Sequence, residues 1–171
     1  MTAAVPTILA TSGGLLPSRR LRWEVGPLTD YAVELAGVSG RAPRVCFLAT
    51  AMGDNSEPIK GFYDAALHRG FFPSHLALFP MPNVEDPREL LLSQDVIWVF
   101  GGSVAGLLAM WRLHGIDLAM REAWQAGVVL TGVSAGSICW IERVPASRYG
   151  SRGISSARYR ASNVPTFSSN R

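Results

Sequence analysis

The chain has 171 residues, 48% of them hydrophobic and 17% charged, the size and composition of one globular domain rather than a disordered chain. No apolar run approaches the roughly 18 residues of a membrane span, so no membrane partner is expected. The net charge of +3 is uneven: residues 1–142 hold 10 Lys+Arg against 13 Asp+Glu, while residues 143–171 hold six Arg and no acid, so the body is mildly acidic and no nucleic-acid partner is expected.

The opening MTAAVPTILATSGG has no basic leader and reads as a first strand over 6–10, closed by the turn Gly13-Gly14. Residues 15–28 read as a loop carrying Arg19, Arg20 and Arg22. Thr29 or Asp30 is placed to cap a helix to about Ala36, with Gly37 beyond it. A second strand is predicted over 44–49. Asn55 or Ser56 caps a helix through about His68, with Pro58 in its first turn and Gly70 past its end. A third strand is predicted over 75–79, a short helix over 86–92 and a fourth strand over 95–100. Two helices, 103–112 and 116–126, flank Gly115, and a fifth strand spans 128–131. Strands alternating with helices, several apolar on both faces, predict a parallel sheet covered on both sides. Cys46 in a strand and Cys139 in a helix read as packed, reduced thiols of a cytoplasmic protein, with no disulfide or metal.

Residues 143–171 are rich in Ser and Arg and lack leucine. They read as an irregular tail, separate from an α/β domain over 1–142.

The chemistry concentrates in VVLTGVSAGSICWIE, residues 128–142. An apolar strand stops at Gly132, Ser134 follows, then Gly136 and a helix-compatible stretch from Ser137. G-x-S-x-G between strand and helix is the pattern of a nucleophile elbow, whose sharp turn leaves no room for side chains at the flanking glycines. The other reading is a helix-capping serine after a glycine turn. If Ser134 is a nucleophile, the Ala135 N–H and an N–H of the Gly101-Gly102-Ser103 turn are the candidate oxyanion donors. The three glycine turns, at Gly13, at Gly101 and at the elbow, are expected to line one crevice at the carboxyl ends of the strands. The base is harder to find. The histidines are His68, His75 and His114, all before Ser134 and two of them at predicted helix ends.

The segment VFGGSVAGLLAMWRLHGIDLAMREAWQAGVVLTGVSAGSICWIE resembles the peptidase E group of serine peptidases, the S51-type aspartyl dipeptidases related to cyanophycinases. ILATSGG and the middle strands extend the resemblance over about residues 5–142. It implies a three-layer α/β sandwich like that of class I glutamine amidotransferases, with a mostly parallel sheet. It implies Ser134 as nucleophile, Gly102 and Ala135 as oxyanion donors, and Ser103 as a substrate-binding position often held by asparagine. It further implies small peptide substrates, typically Asp-X dipeptides, and no metal or other cofactor. The family's catalytic histidine and acid follow the serine, and this sequence has neither. The shift to Arg/Ser-rich composition after Glu142 fits a changed reading frame and early termination. The sheet is therefore expected to be incomplete at its C-terminus, with activity impaired and an exposed edge open to self-association. Other readings are a non-catalytic remnant holding a small ligand, or an α/β-hydrolase esterase. The esterase is disfavoured by the missing HGGG-like loop. A glutamine amidotransferase is disfavoured because the elbow carries serine where cysteine is needed.

Overall fold

A computed structural model of the chain describes residue 3 and residues 5–140. The expected tail over 143–171 lies outside the described residues, as do Ile141 and Glu142 of the segment after the elbow. Among the described residues the elements run, in chain order, β1 (Ile8–Thr11), β2 (Leu15–Pro17), β3 (Trp23–Val25), α1 (Pro27–Leu35), β4 (Arg44–Leu48), α2 (Ser56–Arg69), β5 (Phe72–Leu76), α3 (Pro87–Leu92), β6 (Val96–Val99), α4 (Val104–His114), α5 (Ile116–Gln125), β7 (Val129–Val133) and α6 (Ala135–Ile138). A short 3-10 turn, Thr50–Met52, follows β4.

Five strands form one sheet in the order β1-β7-β6-β4-β5, every neighbouring pair parallel. β6 is buried along its whole length, as a strand covered on both faces must be. Alternate side chains build two cores. Cys46, Leu48, Ile97, Val99 and Leu130 meet Leu91, Leu107, Trp111, Ile116 and Met120 of α3, α4 and α5 on one face. Val45, Phe47, Trp98 and Val129 meet Ala32 of α1 and Phe62 and Ala66 of α2 on the other. Phe47 stacks between Phe62 at 4.5 Å and Trp98 at 5.4 Å, centroid to centroid. The result is the three-layer α/β arrangement with a parallel sheet that the sequence predicts. The chain steps outward from β4 to β5 and then back past β4 to β6, so strand order reverses between β4 and β6. In such sheets, sites form at the carboxyl ends of the strands beside that reversal.

The amino ends are tied by Asp95. Its buried carboxylate accepts from both Arg41 amino groups, at 2.6 and 2.7 Å, and from the Arg44 N–H at 2.7 Å. Burial pushes this carboxyl up, but the Arg41 and Arg44 hydrogen bonds and charges outweigh it and hold the carboxyl below its usual range.

Four expectations shift. Residues 15–28 are not a loop: β2 and β3 pair as an antiparallel hairpin, closed at its base by Gly26 N–H donating to Gly14 O at 2.8 Å. The first helix starts at Pro27, because Pro is preorganised for the first helical position. Thr29 is inside that helix, buried, its hydroxyl donating to Gly14 O at 2.7 Å rather than capping. The third strand lies earlier, at 72–76. The backbone beyond it is captured by side chains, with Asn83 Oδ1 accepting from Ala77 N–H and Asp54 Oδ2 from Leu78 and Phe79 N–H. The fifth predicted strand, β7, is not an edge. It lies between β1 and β6, and the edges of this sheet among the described residues are β1 and β5.

Candidate active site

Ser134 leaves β7 with φ 55° and ψ −118°. A positive φ on a residue with a side chain is rare and costs about 1–3 kcal/mol. The two flanking glycines make that bend possible. A Cβ on Gly132 would lie 2.5 Å from both Gly136 O and Val99 O, and one on Gly136 would lie 2.1 Å from Val99 O. Those are backbone atoms of the neighbouring strand and of the elbow itself, so neither position has room for a side chain. Ser134 O accepts from the N–H groups of Ser137 and Ile138, both at 2.9 Å, so α6 begins directly behind the serine. Ser137 staples the edge: its hydroxyl oxygen accepts from Thr11 N–H at 2.8 Å, binding α6 to β1. The Ser134 side chain is exposed and makes no capping hydrogen bond. Ser134 thus occupies the capping position without acting as a cap.

Gly101, after β6, is the residue that meets it. A Cβ there would lie 3.1 Å from Ser134 Cβ and 3.5 Å from Ser134 Oγ. Gly102, at φ 141°, presses onto the loop after β4; a Cβ would lie 2.2 Å from Ala51 O. Ser103 N–H donates to that same Ala51 O at 2.8 Å. The Ser103 hydroxyl caps α4, accepting from Gly106 N–H at 3.1 Å. The N–H groups of Gly102 and Ala135 have no partner among the turn, loop and cap hydrogen bonds of the described residues. The Gly13-Gly14 turn behaves differently. Gly14 is buried, with Thr29 Oγ1 and the Trp98 ring where its Cβ would be, and it sends the chain into the hairpin rather than along the crevice.

The histidines are elsewhere. His75 is on β5, three strands from β7, or about 14 Å at the usual strand spacing. Its Nδ1 pairs with Tyr63 OH at 2.9 Å and its Nε2 with Asn83 Nδ2 at 3.4 Å. Burial lowers its pKa, only partly opposed by Asp54, which favours the neutral imidazole. His68 is in the last turn of α2, which runs from the carboxyl end of β4 back to the amino end of β5. His114 ends α4, about 16 Å along the helix from Ser103. Among the described residues no hydrogen bond ties a histidine, aspartate or glutamate to Ser134. Both thiols are buried and unpaired, and burial pushes Cys46 up to about 12. Among the described residues no group of three His, Cys, Asp or Glu is placed to hold a metal ion.

Strand, strained serine and short helix on the carboxyl edge of a reversing parallel sheet define an α/β protein built around an elbow. The sequence pattern of peptidase family S51 matches residues 9–167, running past Glu142, where the resemblance read from the sequence stops. The chain belongs to peptidase family S51. A segment of 100 residues, 58% of this chain, is 47% identical to the uncharacterized peptidase YgaJ of Bacillus subtilis (strain 168) and spans 43% of that protein. Among solved structures, the fold is similar to a protein named for peptidase E from Listeria monocytogenes EGD-e, with TM-score 0.52 and 20% identity over 77% of this chain and 60% of that one. It is also similar to a peptidase from an acI-B1 Actinobacterium, with TM-score 0.58 and 22% identity over 78% of this chain and 56% of that one. The chain therefore spans about half the length of the relatives it matches.

Proposed function

We propose that Ser134 is the nucleophile of a serine-type peptidase acting on small peptides such as Asp-X dipeptides, and that this chain turns them over poorly. The strained φ of Ser134, with the hydroxyl exposed and free of any capping bond, carries the reading: strain of this kind persists where the surrounding fold enforces it. In the reaction, Ser134 Oγ attacks the scissile carbonyl carbon as its proton passes to solvent water; collapse of the tetrahedral intermediate breaks the C–N bond, and the amine leaves with a proton from water. The oxyanion that forms accepts from the N–H groups of Ala135 and Gly102. Among the described residues no histidine is placed as a base for Ser134: the three lie at the far edge of the sheet or at the remote ends of helices. Two buried, unpaired thiols fit a cytoplasmic setting. The remoteness of those histidines also favours a second reading, a binding protein that holds a small peptide without cleaving it.

The test is release of free amino acid from Asp-Leu by the purified chain and by Ser134→Ala. Turnover well below the ordinary enzyme range of about 1–10³ s⁻¹, and abolished by Ser134→Ala, is expected. Equal rates for the two chains would remove Ser134 from the reaction. Binding of Asp-Leu with no turnover at all would select the second reading.

A further inference from the structure

The arginines of the β2–β3 hairpin have no role in the elbow, yet the hairpin that carries them packs through Trp23 on Phe100, the residue before Gly101. The base of the hairpin is fixed by the Gly26–Gly14 hydrogen bond and by Thr29 on Gly14. β3 then runs along α2. Gly61 of α2 is bare where the hairpin crosses it: a Cβ there would lie 2.9 Å from Arg22 Cδ and 3.0 Å from Trp23 Cε3. Trp23 rests on Phe100, ring centroids 5.7 Å apart. Phe100 immediately precedes Gly101, the residue in contact with Ser134. The hairpin tip is thereby held beside the loop that meets the nucleophile.

The three arginines of the tip are not equivalent. Arg22 is committed: its guanidinium bonds Glu57 at 3.2 Å and lies over the Trp23 ring at 4.9 Å, which pins the tip to the first turn of α2. Arg19 and Arg20 are exposed, and among the described residues neither guanidinium has a hydrogen-bond or ion-pair partner. The turn that carries them is ordered locally, with Ser18 Oγ accepting from the N–H groups of Arg20 and Leu21 at 3.4 Å each. Arg19 and Arg20 are thus two exposed, unpaired cations side by side on a clamped hairpin, and together they raise the local positive potential. Guanidinium groups bind carboxylates through paired, charge-assisted hydrogen bonds.

Resting on the reading of the elbow as a peptide site, we infer that Arg19 and Arg20 recognise a carboxylate of the bound peptide. An Asp-X dipeptide offers two such groups, the aspartate side chain and the C-terminal carboxylate, and three ligands separate them. Asp-Leu carries both, Asp-Leu-amide only the side chain, and Asn-Leu only the terminus.

The experiment is titration of the ¹⁵N-labelled chain and of an Arg19→Gln/Arg20→Gln variant, following the amides of Gly101, Gly102 and Ala135. The spectrum also reports whether each chain is folded. Elbow amides that shift with Asp-Leu in the native chain, with Kd raised tenfold or more in the variant, are expected. Whichever single-carboxylate ligand shows the same loss identifies the group bound. An unchanged Kd in the folded variant, with the elbow amides still shifting, would overturn the role of the hairpin and leave the peptide site standing. No shift at the elbow amides with any ligand would overturn both.

Discussion

Gly136→Ala is expected to cost about 3–5 kcal/mol, enough to remove a third or more of a typical domain's stability. The added methyl would lie 2.1 Å from Val99 O and 2.6 Å from Val99 C, atoms of β6 that cannot move without breaking the sheet. Ordinary overpacking of a core costs about 1–3 kcal/mol, because side chains can turn aside; here only backbone is available to yield. In a chain of this length the loss lowers Tm by roughly 10 °C. Thermal or denaturant unfolding of the variant measures it. A variant as stable as the native chain would mean that α6 does not press against β6 as described. Gly13→Ala is the control: nothing lies within 4 Å of the position its Cβ would take.

Ser134→Gly is expected to act in the opposite direction, stabilising the fold by about 1 kcal/mol. Relief of the positive φ gains about 1–3 kcal/mol, and the greater freedom of glycine in the unfolded chain takes back about 0.4–1 kcal/mol. Ser134→Ala keeps a Cβ at φ 55° and so keeps the strain; its stability should stay within about 0.5 kcal/mol of the native chain. Both variants lose any serine-dependent turnover. The difference between them separates the hydroxyl from the backbone that presents it. If Ser134→Gly is no more stable than Ser134→Ala, the elbow stores no strain and the main support for a nucleophile is gone.

How much of this is legible in the residues depends on how local the determinant is. The elbow is legible because its requirement is local: a bend this sharp admits only glycine at two positions, and the letters at 132 and 136 say so. α2 is legible for the same reason, with Asn55 Oδ1 accepting from Glu57 N–H at 2.9 Å and Gly70 in the left-handed region at its end. β4 and β6 announce themselves as apolar runs. The hairpin does not, because three-residue strands are too short to show a period, and its partners are Gly14, Gly61 and Phe100 rather than neighbours in sequence. The position of β5 is set by pairing of Arg44–Leu48 with Phe72–Leu76 and by the side chains of Asp54 and Asn83, none of which a propensity reveals. The order of the strands is likewise a tertiary fact. That order also separates His75 from Ser134: only the topology puts three strand spacings between them.

The same contrast holds for the arginines. Read along the chain, Arg19, Arg20 and Arg22 are one cluster in a loop. In three dimensions Arg22 is spent on Glu57 and Trp23, while Arg19 and Arg20 are exposed and their guanidinium groups have no partner among the described residues.

We propose that the Ser134 hydroxyl is presented for attack, and among the described residues no histidine or carboxylate is hydrogen-bonded to it. External imidazole can supply a base there, so the direct measurement is hydrolysis of an aspartyl anilide at increasing imidazole concentration by the native chain and by Ser134→Ala. An imidazole-dependent rate present in the native chain and absent from Ser134→Ala is predicted. Identical rates for the two chains at every concentration, or full activity of the native chain without imidazole, would contradict it.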